Sequence, residues 1–176
     1  MYSDSMRYNV AQLLKEPIGS TRNCQLDESF TGPQRLAELA CGPVNIMRTH
    51  RSVLVKATLQ IQSKLTCGRC LVNYVRSSHL CIEEEFFPTV DLQTGRGLTA
   101  PDEVEEGSLI DSNHLLDLSD TIREYVVTDT PMKPLCSEEC LGLCQGCGTN
   151  LNLTVCDCDS SPIIPRWETL ANLMEN

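Results

Sequence analysis

The chain has 176 residues, a formal net charge of −10, 41% hydrophobic residues and 5% aromatic residues. This length and composition are typical of one folded domain, and they exclude a large multidomain machine and a chain that is disordered throughout. No apolar run is long enough to span a membrane, and residues 1–15 lack the basic and apolar regions of an export signal. We therefore expect a cytoplasmic protein with no membrane partner.

The first element in chain order is a predicted short amphipathic helix over residues 7–15. Its apolar residues Val10, Leu13 and Leu14 follow helical spacing. Pro17 lies just beyond them, and because proline cannot continue a helix, the helix is predicted to stop before it.

Two strands are predicted in the middle of the chain. Apolar and mainly polar side chains alternate over residues 53–61, which indicates a strand with one buried face. A second extended run, over residues 71–87, is rich in β-branched and aromatic residues. The two strands flank Cys67 and Cys70, so we expect this CxxC pair at or beside the tip of a β-hairpin.

The second half of the chain is more irregular. Proline, glycine and acidic residues dominate residues 88–107, which predicts a mobile loop. Residues 109–111 are predicted to extend a sheet edge, and residues 115–128 to contain a helix with Ser119 as its N-cap. A last amphipathic helix is predicted to begin at Pro165.

Together these elements predict an α+β fold, with an antiparallel β-sheet, flanking short helices and a C-terminal Cys-rich zinc knuckle. We place an α+β core domain at residues 1–135, which includes the CxxC hairpin and the acidic loop. Residues 136–176 are the predicted Cys-rich zinc-binding segment, whose C-terminal helix packs on the core.

Cysteine is the most informative residue type, because the chain contains eleven of them. In a chain without an export signal, such a density favours metal binding over a disulfide framework. Eight of the eleven fall in close groups, and eight thiolates are the number that two tetrahedral zinc sites require. The predicted zinc ligands are Cys67, Cys70, Cys136, Cys140, Cys144, Cys147, Cys156 and Cys158.

Spacing leaves two pairings of these ligands open. In the first, which we favour, the last four cysteines share one ion in a local C-x2-C-x8-C-x-C site, and the hairpin pair shares the other with Cys136 and Cys140. In the second, the hairpin pair shares an ion with Cys144 and Cys147. A redox dithiol or an iron–sulfur cluster would use the same residue type, although a redox CxxC normally opens a helix after a strand.

Other residues near the cysteines carry weaker predictions. Gly68 and Gly146 lie inside the two CxxC turns, where a residue tolerant of positive φ is expected. Cys24, Cys41 and Cys81 stand apart from the groups, and we expect them to be small buried apolar residues.

Charge is distributed in blocks. Residues 39–82 contain no Asp or Glu and six Lys or Arg, whereas residues 83–129 contain thirteen acids and two Arg. Because the overall negative charge repels phosphate at long range, any RNA contact must be local. The basic block supplies the candidate RNA-binding residues Arg48, Arg51, Lys56, Lys64, Arg69 and Arg76. An ordinary solvated sheet face fits the same block, and the acidic stretch suits either a basic ribosomal protein or a solubilising loop.

No motif in the chain indicates catalysis. The nucleophile elbow, the phosphate-binding loop, the dinucleotide-binding glycine motif and the HExxH motif are all missing from the sequence. The three histidines do not lie at ligand spacing from one another. We therefore expect neither an enzyme nor a small-molecule substrate.

Several segments carry a family resemblance, namely Asn9–Leu14, Cys67–Leu71 and a C-terminal run. The C-terminal run is the specific part, and it includes Cys140–Cys144, Cys156–Cys158 and Pro165–Trp167. With these motifs the chain resembles the bacterial YceD family, which is associated with accumulation of large-subunit ribosomal RNA. The resemblance implies a cytoplasmic, non-enzymatic factor in the accumulation or processing of 23S rRNA, and it supplies no catalytic residues.

Two hypotheses follow. The first is a zinc-stabilised adaptor in large-subunit biogenesis that binds either rRNA or a ribosomal assembly protein. The second is a thiol redox or metal-sensing protein that uses its CxxC pairs. The first predicts about two zinc ions per chain, and the second predicts one reversibly oxidised pair.

Overall fold

The computed structural model describes residues 6–31, 37–92, 94–99 and 106–158. It divides into two compact units, the first comprising residues 1–65 and 74–132 and the second comprising residues 66–73 and 133–176. The second unit thus takes the tip of the predicted hairpin together with the C-terminal cysteines. The predicted division of the chain at residue 135 stays a prediction.

The first unit contains a five-stranded sheet in the order β2-β3-β4-β5-β6. β2 and β3 pair antiparallel, as do β3 and β4, and β5 pairs parallel with β6 at one edge. The connection between β4 and β5 is too short for a parallel crossover, so these two strands form a hairpin. The strands are β2 Thr21–Thr31, β3 Ala37–Arg48, β4 Val53–Thr66, β5 Asn73–Pro88 and β6 Leu109–Ile110.

β4 confirms the strand predicted from alternation and continues beyond it. Every second side chain from Val53 to Leu65 is buried, while the intervening ones are half-buried at Leu54 and exposed from Lys56 onward. The buried side chains from Val53 to Ile61 belong to one hydrophobic core that also contains residues of the helix that follows the sheet. One face of the sheet therefore forms the core, and its other face carries the exposed side chains of β4.

The predicted helix over residues 7–15 is wrong. Arg7–Asn9 is a strand, β1, which pairs antiparallel with β7, Leu115–Asp117, and only Leu13–Lys15 forms a single 3-10 turn. The Arg7 guanidinium also donates a hydrogen bond of 2.8 Å to the Asp117 carboxylate. Local periodicity correctly marks Leu13 as buried, but a pairing partner more than a hundred residues away decides the backbone conformation.

The helix predicted within residues 115–128 is confirmed as α1, Ser119–Asp129, although its beginning differs. The preceding residues are β7, and Ser119 is the first helical residue, not the cap. Its backbone N–H donates to the Asp117 carboxylate at 2.9 Å. Ile122 and Val126 are buried in the core, so the helix presents an apolar face to the sheet.

The sequence analysis predicted neither β2 nor β3. β3 is hard to recognise because it contains Gly42 and Pro43, two residues uncommon inside strands. The ladder between β3 and β4 is interrupted at this dipeptide. Gly42 is required there, since a Cβ atom at this position would overlap the carbonyl oxygen of Thr58 in β4.

Residues 109–111 were predicted at a sheet edge, and β6 confirms this. In the predicted loop, Val90 and Gly97 form a bridge, and Thr94 donates backbone and hydroxyl hydrogen bonds to Asp91. The helix predicted from Pro165 lies outside the described residues. No helix within the described ranges is long and apolar enough to cross a membrane.

Candidate metal centres and basic surface

All eight predicted ligands lie in the second unit, and the structure brings them together in two groups of four that can each hold a metal ion. Within each group the sulfur atoms lie within 4.8 Å of one another. This grouping is the first of the two pairings that the spacing left open, and the hairpin pair is not grouped with Cys144 and Cys147. The first group is Cys67, Cys70, Cys136 and Cys140, and the second group is Cys144, Cys147, Cys156 and Cys158.

The sulfur separations in the first group are those of a tetrahedral metal site. Cys67 Sγ lies 3.8 Å from Cys140 Sγ, and Cys70 Sγ lies 3.6 Å from Cys136 Sγ. A tetrahedron with zinc–sulfur bonds of about 2.3 Å has edges of about 3.8 Å. A disulfide would require about 2.05 Å, so the sulfurs are spaced for a shared ion and not for a covalent bond.

A specific backbone turn positions the sulfurs of the hairpin pair. The Cys67 N–H donates to the Val72 carbonyl at 2.9 Å, and the Leu71 N–H donates to the Cys67 carbonyl at 3.0 Å. The Arg69 N–H points at Cys67 Sγ from 3.4 Å. The turn therefore satisfies its own backbone groups and directs one N–H dipole at a thiolate.

The same turn occurs in the second group. The Cys144 N–H donates to the Thr149 carbonyl at 2.8 Å, and the Gly148 N–H donates to the Cys144 carbonyl at 2.9 Å. The Gly146 N–H points at Cys144 Sγ from 3.4 Å. Each bond joins the same relative positions as in the hairpin turn, so the second unit contains the same CxxC turn twice.

The prediction that Gly68 and Gly146 take positive φ is wrong. The positive φ falls on the residue directly after the second cysteine of each turn, which is Leu71 (59°) in one and Gly148 (75°) in the other. At that position the chain reverses to close the turn. A Cβ atom at Gly146 would lie 3.4 Å from Cys158 Sγ, so this glycine packs directly beside a sulfur of the second group.

Arg69 holds the two halves of the first group together. Its guanidinium donates to the carbonyl oxygens of Cys140 at 2.9 Å and Glu138 at 3.3 Å. The neighbouring Gly68 N–H donates to the Pro134 carbonyl at 2.8 Å. The CxxC turn is thereby bonded to the segment that supplies Cys136 and Cys140, so Arg69 has a structural role that its sequence position did not reveal.

Thiol ionisation in the first group is strongly uneven. A hydrogen bond from the Cys70 backbone lowers the pKa of the Cys67 thiol to about 6. Interaction with the Cys70 sulfur raises the pKa of Cys136 to about 12. The Cys67 thiol therefore ionises easily, whereas the Cys136 thiol resists ionisation because its negative charge would form next to other sulfurs.

The thiol pKa values in the second group are uneven in the same way. The Thr149 hydroxyl, 3.1 Å from Cys147 Sγ, lowers the pKa of Cys147 to about 6. Interaction with the Cys147 sulfur raises the pKa of Cys158 to about 12. A dication at the centre of either group would offset this repulsion between sulfurs, which is the electrostatic reason that four clustered thiols can hold a metal ion.

The two groups differ in burial. In the first group Cys67, Cys70 and Cys140 are at most 5% exposed, and only Cys136 is exposed. In the second group none is buried, and Cys147 and Cys158 are exposed. Solvent and small reagents therefore reach the second group more easily than the first.

The cysteines outside the groups depart from expectation in part. Cys24 and Cys41 are half-buried, whereas Cys81 is exposed on β5. The prediction of a buried apolar residue is therefore wrong for Cys81. Its position follows from the period of two along β5, in which alternate side chains leave the core.

The candidate RNA-binding residues differ in their surroundings. The Lys56 ammonium pairs with the Glu83 carboxylate at 2.6 Å, and both are exposed. Arg76 is partly buried and pairs with Asp129 at the end of α1 at 2.5 Å, so it belongs to the helix side of the sheet. Arg69 bonds to backbone carbonyls in the second unit.

The remaining candidates fall at opposite ends of β4. Arg51 and Lys64 are exposed, and within the described part of the chain neither side chain forms a hydrogen bond or ion pair. The Arg48 guanidinium donates to the backbone carbonyl of Glu16. Arg48 and Arg51 line a cleft, while Lys64 lies near the other end of β4, about 36 Å along the strand from its first residue, Val53.

The cleft lies beside the turn between β3 and β4 and has a volume of about 470 Å³. Besides the two arginines, its lining includes the exposed His50 and the apolar Phe87 and Leu92. Among the described residues that line the cleft, Asp91 is the single acidic one. The cleft therefore combines an excess of positive charge with apolar surface, and charge counting along the sequence alone did not locate it.

The chain has relatives among known proteins. The family model described as large ribosomal RNA subunit accumulation protein YceD matches residues 55–174. Uncharacterized proteins of Mycobacterium tuberculosis and Mycobacterium bovis are 32% identical over 128 residues, which cover 69% of this chain and 56% of theirs. The chain thus spans about half the length of these curated relatives.

A plant protein is similar over a shorter segment. The large ribosomal RNA subunit accumulation protein YCED homolog 1, chloroplastic, of Arabidopsis thaliana is 35% identical over 60 residues, which cover 34% of this chain and 19% of the plant protein. No solved structure matches the chain.

Proposed function

This chain belongs to the YceD family of large ribosomal RNA subunit accumulation proteins, and we propose that it is a non-enzymatic, zinc-stabilised factor that supports accumulation of 23S rRNA by binding it. The observation that carries the zinc part of the proposal is the convergence of eight sulfurs into two groups of four. The binding part is supported by the basic cleft beside the turn between β3 and β4.

Zinc fits both groups as a structural ion. Each group offers four sulfurs within 4.8 Å of one another, and the two separations of 3.6 Å and 3.8 Å in the first group match the edge of a tetrahedral site. A fully protein-ligated zinc has no open position for a substrate. The N–H groups of Arg69 and Gly146 point at ligand sulfurs, as expected for the hydrogen bonds that orient metal ligands. The ion's role is therefore to hold the second unit in shape.

Ribosomal RNA is the partner that the first unit supports best. Arg48, His50 and Arg51 converge at one cleft, where a local phosphate contact is possible despite the negative net charge of the chain. The other candidate basic residues of the first unit are either paired with carboxylates or isolated on the sheet. A basic ribosomal protein as the partner would instead meet the acidic residues.

The RNA contact is tested with a pair of matched charge reversals. Arg51→Glu removes a cation at the cleft, and Lys64→Glu makes the same charge change near the far end of β4. Both are compared with the parent for binding to 23S rRNA fragments across salt concentrations. We expect Arg51→Glu alone to weaken binding and to reduce the salt slope by about 0.7–0.9 for each phosphate that the protein no longer neutralises. Equal effects of both variants would remove the cleft from the proposal.

The metal is tested on freshly isolated, untagged protein. Elemental analysis is expected to give two zinc ions per chain, and addition of a chelator is expected to lower the melting temperature. Absence of bound metal together with unchanged melting after chelation would overturn the zinc part of the proposal.

The redox alternative makes a different prediction. It requires one CxxC pair to cycle between dithiol and disulfide, whereas the sulfur contacts of 3.6 Å and 3.8 Å in the first group join cysteines of different segments. Thiol titration before and after mild oxidation distinguishes the two. Reversible loss of two thiols with no release of metal would favour the redox function.

A further inference from the structure

One side chain reaches from the loop of the second cysteine group to a sulfur of the first. Asn152 lies between Cys147 and Cys156, two ligands of the second group. Its side-chain amide N–H donates to Cys140 Sγ, a ligand of the first group, at 3.3 Å. Its carbonyl oxygen accepts the Leu141 N–H at 2.8 Å. Both ends of the amide are used, and the orientation places the donor, not the acceptor, at the sulfur.

The surrounding backbone fixes this amide in place. Leu143 and Asn150 form a β-bridge, and the Leu151 N–H donates to the Gly142 carbonyl at 2.9 Å. The Asn150 carboxamide oxygen accepts both the backbone and the side-chain N–H of Asn152, at 3.0 Å and 2.8 Å. Residues 141–143, which connect the two groups along the chain, therefore pair with residues 150–152 of the loop.

The loop that carries Asn152 is anchored by the second group. Cys147 precedes it and Cys156 follows it, so an ion bound by the second group fixes both ends of the loop. Fixing the ends removes chain entropy that would otherwise oppose placement of the amide on Cys140. The hydrogen bond in turn stabilises the Cys140 thiolate, which is a ligand of the first group.

We propose that Asn152 couples the two metal sites, so that metal binding by the second group strengthens metal binding by the first. By linkage the effect is reciprocal. The second group is the more exposed, so loss of its ion to a chelator comes first and weakens retention of the buried ion. This inference rests on the proposed metal binding and adds an order of loading and release to it.

The test measures the affinity of the first group with the second group intact or disabled. The probe is Co²⁺, read by its thiolate charge-transfer absorption in competition with a chelator of known affinity. The second group is disabled by the double substitution Cys156→Ser and Cys158→Ser in the full chain. When this double substitution is made in a chain that keeps Asn152, we expect the affinity of the first group for Co²⁺ to fall about 10- to 100-fold. This is the range typical of removing hydrogen bonds from outer residues to metal ligands.

The variant Asn152→Ala is expected to abolish this dependence, because the first group then lacks the bond with or without the second ion. Asn152→Asp keeps the size of the side chain but turns an acidic oxygen toward the thiolate, and it should weaken the first group further. Thr154→Ala, an exposed position in the same loop, is the control and should retain the parent's dependence.

The outcomes are distinct. An equal fall in the parent and in Asn152→Ala would overturn Asn152 as the coupling residue. Independent affinities in the parent would overturn the coupling itself. Failure of the parent to bind Co²⁺ at either group would overturn the proposed metal function, and this inference with it.

Discussion

The two metal groups should contribute unequally to folding, because their ligands lie at different separations along the chain. The first group joins Cys70 to Cys136, which are 66 residues apart. The second joins Cys147 to Cys156, which are 9 residues apart. An unfolded chain can therefore still bind an ion at the second group at small entropic cost, whereas at the first group it must close a long loop.

The difference follows from loop-closure entropy. Closing 66 residues instead of 9 costs the unfolded chain about 1.8 kcal/mol more, from (3/2)RT ln(66/9). Residual metal binding by the unfolded chain reduces stabilisation of the folded protein. At comparable native affinity, the first ion should therefore stabilise the fold by about 1.8 kcal/mol more than the second, which is about a 20-fold difference in the folding equilibrium.

The matched variants are Cys70→Ser and Cys147→Ser, since both replace the second cysteine of equivalent turns. Urea unfolding is followed by far-UV circular dichroism at fixed free zinc, and repeated with chelator to subtract the packing effect of each substitution. We expect Cys70→Ser to lose more zinc-dependent unfolding free energy. An equal loss, or a larger loss for Cys147→Ser, would refute the loop-closure reasoning.

Three further predictions concern the first unit. Gly42→Ala should lower the unfolding free energy by about 1–3 kcal/mol, because the added methyl group overlaps the Thr58 carbonyl; an unchanged melting temperature would contradict the strand geometry. In zinc-loaded protein Cys81 should be the fastest thiol of the first unit to react with a maleimide, and mass spectrometry of the Cys81→Ser variant should show that the fast site is gone. A hydrogen bond from Arg76 lowers the pKa of Asp129, so the ionised carboxylate contributes stability above about pH 4, which is lost as the pH falls through its folded pKa. Asp129→Asn should therefore reduce the unfolding free energy by up to about 1 kcal/mol at neutral pH and by less at about pH 3, as pH-dependent urea titrations can establish.

The candidate site was predictable in its composition but not in its internal contacts. The number and spacing of the cysteines predict two ions and favour the pairing that the structure has, because a tetrahedral thiolate site needs four ligands and CxxC pairs bind as units. The positive φ of Leu71 was not predictable from the sequence, because leucine rarely adopts this conformation. Its positive φ becomes understandable only from Gly148, which occupies the same place in the second turn.

For the fold as a whole, the sequence by itself determined which residues face the core in β4, the presence of α1 and the eight-sulfur ligand set, because burial periodicity and ligand count are local properties of a chain. Tertiary structure decided that Arg7–Asn9 is a strand and that the Asn152 side chain donates a hydrogen bond to Cys140. It also decided that Arg76 forms an ion pair with Asp129 of α1. Each of these depends on a partner outside the local pattern, and a hydrogen bond between distant residues leaves no periodic trace in the sequence.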